Sequence, residues 1–118
     1  MKRYFRLSQA NDFRRAKTEG QSKKHKLVVL LFVRNNLTTS RTAFVASKKV
    51  GNAVVRNRVK RLMRAGTADI WSEIKSGWDL IFYARAAGAK ASFQDWVSAI
   101  QSLLREADLI IENKIDVN

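Results

Sequence analysis

The sequence predicts a single α+β domain with elements in the order α-β-β-α-β-α. Three observations carry that expectation. Apolar residues form short, β-branched-rich runs at 27–33, 41–47 and 78–85. Between and after those runs they recur at helical spacing, as Val55, Val59, Leu62 and Met63 and again as Val97, Ile100 and Leu104. With 118 residues and 46% hydrophobic content, the chain has material for one core and too little for two. We therefore read residues 1–118 as one domain, with 108–118 as a candidate flexible tail.

The elements follow in order. Residues 8–19 read as a short helix: Ser8 is placed to cap it, Phe13 is its clearest apolar anchor, and Gly20 suits a left-handed end. Residues 21–26 read as a basic loop. Residues 27–33 form a strand, Asn35 and Asn36 turn the chain, and 41–47 form a second strand, which predicts a hairpin. Asn52 is a candidate N-cap for a helix whose apolar register runs to Ile70 and Ile74. Gly66 lies inside that register and predicts a weakened or kinked helix. Residues 78–85 read as a further strand and 86–91 as a loop. Ser92 and Asp95 have the spacing of a capping box. Phe93, Val97, Ile100 and Leu104 mark one face of the last helix, flanked by Trp96 and Leu103. Trp71, Trp78 and Trp96 read as packing residues.

Charge narrows the function. The net charge is +13, and residues 1–64 hold eighteen Lys/Arg against two acids, whereas 65–118 hold five against eight. A polyanion would meet the first half of the chain. Cysteine is absent and His25 is the single histidine, so thiol chemistry and Cys/His metal sites are excluded. No phosphate-cradling glycine motif is present. Asp12 and Glu19 are scattered, and Asp69 and Glu73 read as solvent-facing. His25, among lysines at 23, 24 and 26, reads as a solvated or phosphate-contacting loop residue. The expectation is no catalytic and no metal-binding residue, no membrane span, no signal peptide and a cytoplasmic protein.

The densest signal is 56–64, where Arg56, Arg58, Lys60, Arg61 and Arg64 fall in nine residues that also keep an apolar register. At ~100° per residue the apolar positions share one sector. The rest of the helix is cationic, with Asn57 the one amide. Mixed-sign faces are usual on solvated helices, yet residues 48–64 contain no acid. Arginine binds two phosphate oxygens through its planar fork, so the pattern points to nucleic acid. Phe13 and Phe32 are open to two readings, as core residues or as stacking surfaces for unpaired bases.

The segment 47–64, Ser-Lys-Lys-Val-Gly-Asn-Ala-Val-Val-Arg-Asn-Arg-Val-Lys-Arg-Leu-Met-Arg, resembles the signature of the bacterial ribonuclease P protein component. Arg6-Leu7, Asn11-Asp12-Phe13, Tyr83-Ala84-Arg85 and Ser92-Phe93-Gln94 resemble further parts of that family, so the likeness spans roughly residues 3–106. It implies an α-β sandwich with a left-handed β-α-β crossover, which handedness rules would not predict. It implies the non-catalytic protein subunit of a ribonucleoprotein endonuclease, a hydrolase that removes the 5′ leader from precursor tRNA. The RNA subunit would be the catalyst and would use magnesium, the protein holding no cofactor tightly. A 1:1 complex with that RNA is implied. By position, Lys48, Lys49, Asn52, Arg56, Asn57, Arg58, Lys60, Arg61, Arg64 and Arg85 would contact RNA. Phe13, Lys17, Leu31 and Phe32 would line the leader site. Lys17 stands where the family commonly has a second aromatic, and the first-strand aromatic position aligns with Leu31, one residue before Phe32. Other readings of the same residues are a structural RNA-binding protein, a stand-alone nuclease and a membrane-surface protein.

Overall fold

The computed structural model describes residues 6–111, and a four-stranded sheet in the order β1-β2-β4-β3 organises them. The strands are β1 (Gln21–Lys24), β2 (Val28–Arg34), β3 (Arg41–Val45) and β4 (Trp78–Ala84); the helices are α1 (Ala10–Glu19), α2 (Ala53–Ile70) and α3 (Phe93–Glu106). The expected order stands, with one more strand in it. Residues 21–24, read as loop, form β1 and pair antiparallel with β2 from Gln21↔Phe32 to Lys24↔Val29. All four of its side chains are polar, so no alternation marks it. Its lysines suit an edge, where charge discourages pairing with another chain.

The expected hairpin does not form. β2 pairs with β4, antiparallel from Val28↔Ala84 to Arg34↔Trp78. β3 pairs with the other side of β4, parallel from Arg41↔Asp79 to Val45↔Tyr83. The physical reason lies in β4 itself: Leu80, Ile81 and Phe82 are fully buried, so both its faces and both its edges need cover. The chain reaches it from β3 through α2, the β-α-β unit that a parallel pair requires.

Side-chain alternation divides the core in two. Val28, Leu30, Phe32, Leu80 and Phe82 face α2 and α3, where they meet Val59, Met63, Ile70, Trp96, Ile100, Leu103 and Leu104. Val33 and Ile81 face the other way, toward Leu7 and Ala16, with Phe13, Leu31, Ala43, Val45 and Tyr83 half-buried around them. Two helices cover one face of the sheet. One ten-residue helix partly covers the other, and that inequality leaves a groove.

Local expectations fared unevenly. Asn52 caps α2, its Oδ1 accepting the Val55 N–H at 3.0 Å. Ser92 and Asp95 form the capping box, with reciprocal bonds of 3.1 and 3.0 Å; the bonds from Ser92 hold the Asp95 carboxyl below its usual pKa. Ser8 does not cap α1, which starts from Gln9 without a side-chain cap. Gly20 is extended, at φ −81°. Its lack of a side chain serves close approach instead: a Cβ would lie 2.4 Å from the Ala16 carbonyl oxygen and 2.9 Å from that of Phe32. Phe93 is 44% exposed, not a core residue. The helix ends at Ile70, a 3-10 turn follows over Trp71–Glu73, and Ile74 is buried. The first residues of the expected tail are packed: Leu109 is fully buried and Ile110 bridges Ile74. Residues 112–118 lie outside the described residues.

Gly66 neither kinks nor ends α2. It is buried against α3, where an added Cβ would sit 3.4 Å from Ile100 Cδ1 and 3.7 Å from Val97 Cα. The small residue sets how closely two helices approach. One methyl meets only ordinary contact there, so Gly66→Ala should stabilise by up to about 1 kcal/mol through helix propensity. Gly66→Leu should cost about 1–3 kcal/mol by overpacking. Urea unfolding of both variants measures the pair.

Candidate nucleic-acid interface

The cationic side chains are presented by α2, and its apolar register determines how. Val59, Met63, Gly66, Thr67 and Ile70 are its buried residues, which turns the opposite arc outward. Asn57 and Arg61 are exposed; Arg56, Arg58, Lys60 and Arg64 are half-buried. None of these cations is ion-paired among the described residues, where the salt bridges belong to Arg15, Arg41 and Lys75. Two of the arginines also have structural contacts. Arg58 donates to the Ala89 carbonyl, tying α2 to the loop after β4. Arg64 lies over the Phe44 ring, 5.6 Å from its centroid. Lys48 and Lys49 are exposed in the loop that leads into α2. Asn52 contributes by starting the helix, since its Oδ1 is taken by the cap.

Arg85 follows β4, exposed, and its Nη1 donates to the His25 carbonyl at 3.3 Å. His25 itself closes the β1–β2 turn: its Nδ1 accepts the Leu27 N–H at 3.0 Å. Arg85, His25 and the neighbouring lysines 24 and 26 thus share the sheet end at which β4 finishes. Lys48 and Lys49 follow β3, which runs parallel to β4 and finishes at that same end.

The groove lies between α1 and the open face of the sheet. Ala10, Phe13, Arg14 and Lys17 from α1 and Val45 and Tyr83 from the sheet line a space of about 510 Å³. Phe13 is half-buried and Lys17 exposed, so Phe13 is neither wholly in the core nor wholly open. Leu31 is on this face, packed beside the α1 cluster. Phe32 is not a groove residue. It is 4% exposed on the opposite face, its ring 5.9 Å from that of Trp78, because neighbouring strand residues point to opposite sides. Tyr83 is the aromatic that sequence reasoning left out of the site. Its two-residue spacing from Ile81 and Asp79 would have placed it on the groove face. Burial pushes the Tyr83 hydroxyl pKa up, keeping it neutral.

One buried carboxylate holds this arrangement. Asp79 is fully buried and takes both forks of Arg41, at 2.9 and 2.8 Å. Arg15 reaches it from α1 at 2.5 Å, and Asn35 Nδ2 at 3.0 Å. Asp12 adds a contact to Arg41 at 3.3 Å. Hydrogen bonding to Asp79 raises the Arg41 pKa, so that cation stays charged. Among the described residues no group of three or more His, Cys, Asp or Glu could hold a metal ion. Among the same residues no helix is long and apolar enough to cross a membrane.

This is a small α+β domain whose second helix is cationic and free of acid from residue 53 to 68, beside an aromatic-lined groove, an arrangement whose charge complements a polyanion. The Ribonuclease P family model matches residues 1–108, and the chain belongs to the family of bacterial ribonuclease P protein components. Among its relatives, the ribonuclease P protein component of Alkaliphilus metalliredigens is 39% identical over 105 residues, covering 89% of this chain and 95% of that one. The RNase P protein of Staphylococcus aureus superposes with a TM-score of 0.83 at 27% identity, over 90% of this chain and 97% of that one. The Thermotoga maritima protein gives 0.79 at 28%, over 92% and 98%.

Removing the buried carboxylate leaves the Arg15 and Arg41 guanidinium groups with only the part-exposed Asp12 as counter-charge. Asp79→Ala should therefore cost about 3–5 kcal/mol of stability, read by urea unfolding. Loss below 1 kcal/mol would show that the network is not a structural tie.

Proposed function

We infer that this chain is the protein subunit of a ribonuclease P and assists the removal of the 5′ leader from precursor tRNA. The carrying observation is the cationic face of α2, without ion pairs among the described residues, next to an aromatic-lined groove of about 510 Å³. In this reading Arg56, Asn57, Arg58, Lys60, Arg61 and Arg64, with Lys48, Lys49 and Arg85, contact the catalytic RNA. Asn52 supports that surface by capping the helix. Phe13, Lys17 and Tyr83 hold the leader, Leu31 backing them.

The chemistry belongs to the RNA subunit. Asp12 and Asp79 are engaged by arginines, and the histidine ring nitrogen is engaged by the backbone. Magnesium is accordingly assigned to the RNA, and no step is routed through a protein-held metal. The protein acts by position and charge. Its arginines lower the repulsion between two RNAs brought together, and each phosphate neutralised releases counterions. The groove fixes a flexible single strand, with stacking on Phe13 and Tyr83 favouring unpaired bases. A 1:1 complex in the cytoplasm fits this role.

Reconstitution tests the reading. Adding the protein to a cognate ribonuclease P RNA should restore leader cleavage at low magnesium. Unchanged cleavage would favour a structural RNA-binding protein instead. Cleavage by the protein without RNA, lost in His25→Ala, would favour a stand-alone nuclease. Arg61→Ala should lower the slope of log K against log salt for RNA binding by about one. Lys17→Ala should weaken leader-bearing precursor and leave mature tRNA unaffected; equal losses would remove Lys17 from the leader site.

A further inference from the structure

Beyond the groove, on the far side of Phe13, lies a second concavity of about 320 Å³ where the segment before α1, the edge of β3 and the middle of α2 converge. Arg6, Ser8, Phe13, Phe44 and Arg64 line it. Phe13 and Val45 belong to both this space and the groove, so the two adjoin. Its arginines come from separate parts of the chain. Arg6 is brought in by a backbone bridge to Thr42, with the Leu7 N–H on the Thr42 carbonyl at 2.7 Å. Arg64 is laid over Phe44, whose ring in turn stacks on Phe82 at 5.5 Å and 14°.

Neither arginine is ion-paired among the described residues, and no acid lines the space. The other side of α1 is arranged in the opposite way, with Asp12, Glu19, Arg15 and Arg41 around one cleft and both arginines satisfied by carboxylates. Two arginines lining one small cavity repel each other until an anion enters. Their forks match phosphate oxygens, and Phe13 on the shared wall offers a stacking face for the adjoining base.

We propose that Arg6 and Arg64 together bind one phosphodiester of a single RNA strand, at the point where that strand passes from the groove onto α2. The site rests on the reading of the groove and α2 given above. The phosphate belongs either to the precursor leader or to the catalytic RNA, and the two sources are separable.

The first arm uses the full chain and a labelled single-stranded RNA pentanucleotide, titrated at several KCl concentrations. Arg6→Ala and Arg64→Ala should each weaken binding by roughly tenfold at low salt and lower the salt slope by about 0.7, the value for one phosphate on a single strand. The double variant should have the slope of either single, because both side chains act on the same phosphate. Arg64→Lys, which keeps the charge, should retain most of the slope. Arg105→Ala, remote on α3, should match wild type. Circular dichroism melts check that each variant folds. Slope losses that add in the double variant, or no loss in either single, overturn the shared site.

The second arm uses the reconstituted complex. A loss confined to leader-bearing precursor, with mature tRNA and RNA-subunit binding unchanged, assigns the phosphate to the leader. A loss in RNA-subunit binding assigns it to the catalytic RNA. Failure of the wild-type protein to support leader cleavage would strike the proposed function alone and leave the pentanucleotide result standing.

Discussion

The buried carboxylate of Asp79 is the constraint on which the site depends. A charge in an interior is tolerated only when it is paired and hydrogen-bonded, and Asp79 meets that condition with groups from three separate places. Arg41 comes from β3, Asn35 from the β2–β3 loop and Arg15 from α1. The same contacts that satisfy the charge therefore tie the edge strand to the central strand and hold one helix across the open sheet face. The groove is what remains uncovered once that helix is fixed. Asp12 adds to the tie by approaching Arg41, which keeps the acids on this side of α1 and leaves the groove side, with Arg14 and Lys17, positive.

On the other face of the sheet the logic is apolar. α2 and α3 close over β2 and β4, with Gly66 letting them approach closely. That packing fixes the rotation of α2, and the rotation decides where its charge points. Burying Val59, Met63 and Ile70 leaves the cationic residues no direction except outward. Two of the half-buried arginines, Arg58 and Arg64, are held by the Ala89 carbonyl and the Phe44 ring rather than by acids, so position is gained without neutralising charge. Preorganised, unneutralised cations are the arrangement that a phosphate backbone rewards.

Much of this was legible in the residues. The period of 55–63 and the absence of acid over 48–64 located the cationic helix and its outward face, and the caps at Asn52 and Ser92 were read correctly. Three things were hidden, each for a physical reason. Strand β1 is polar throughout, held by backbone pairing that hydropathy does not report. The place of β4 between β2 and β3 follows from its two-sided burial, whereas adjacency in sequence suggested a hairpin. Asp79 looked like one acid among ten, because its partners at 15, 35 and 41 come together only after the sheet is assembled. The groove suffered for the same reason. The face of each strand follows from register, and register separates Phe32, turned into the core, from Tyr83, turned to the groove.

The central claim is a division of labour, with the leader in the α1–sheet groove and the catalytic RNA on α2. Site-specific photocrosslinking in the reconstituted complex tests it most directly. A photoreactive side chain in place of Tyr83 should crosslink to the leader of precursor tRNA, and one in place of Arg61 should crosslink to the RNA subunit. Crosslinks from position 83 to the RNA subunit alone, or from position 61 to the leader alone, would contradict the account.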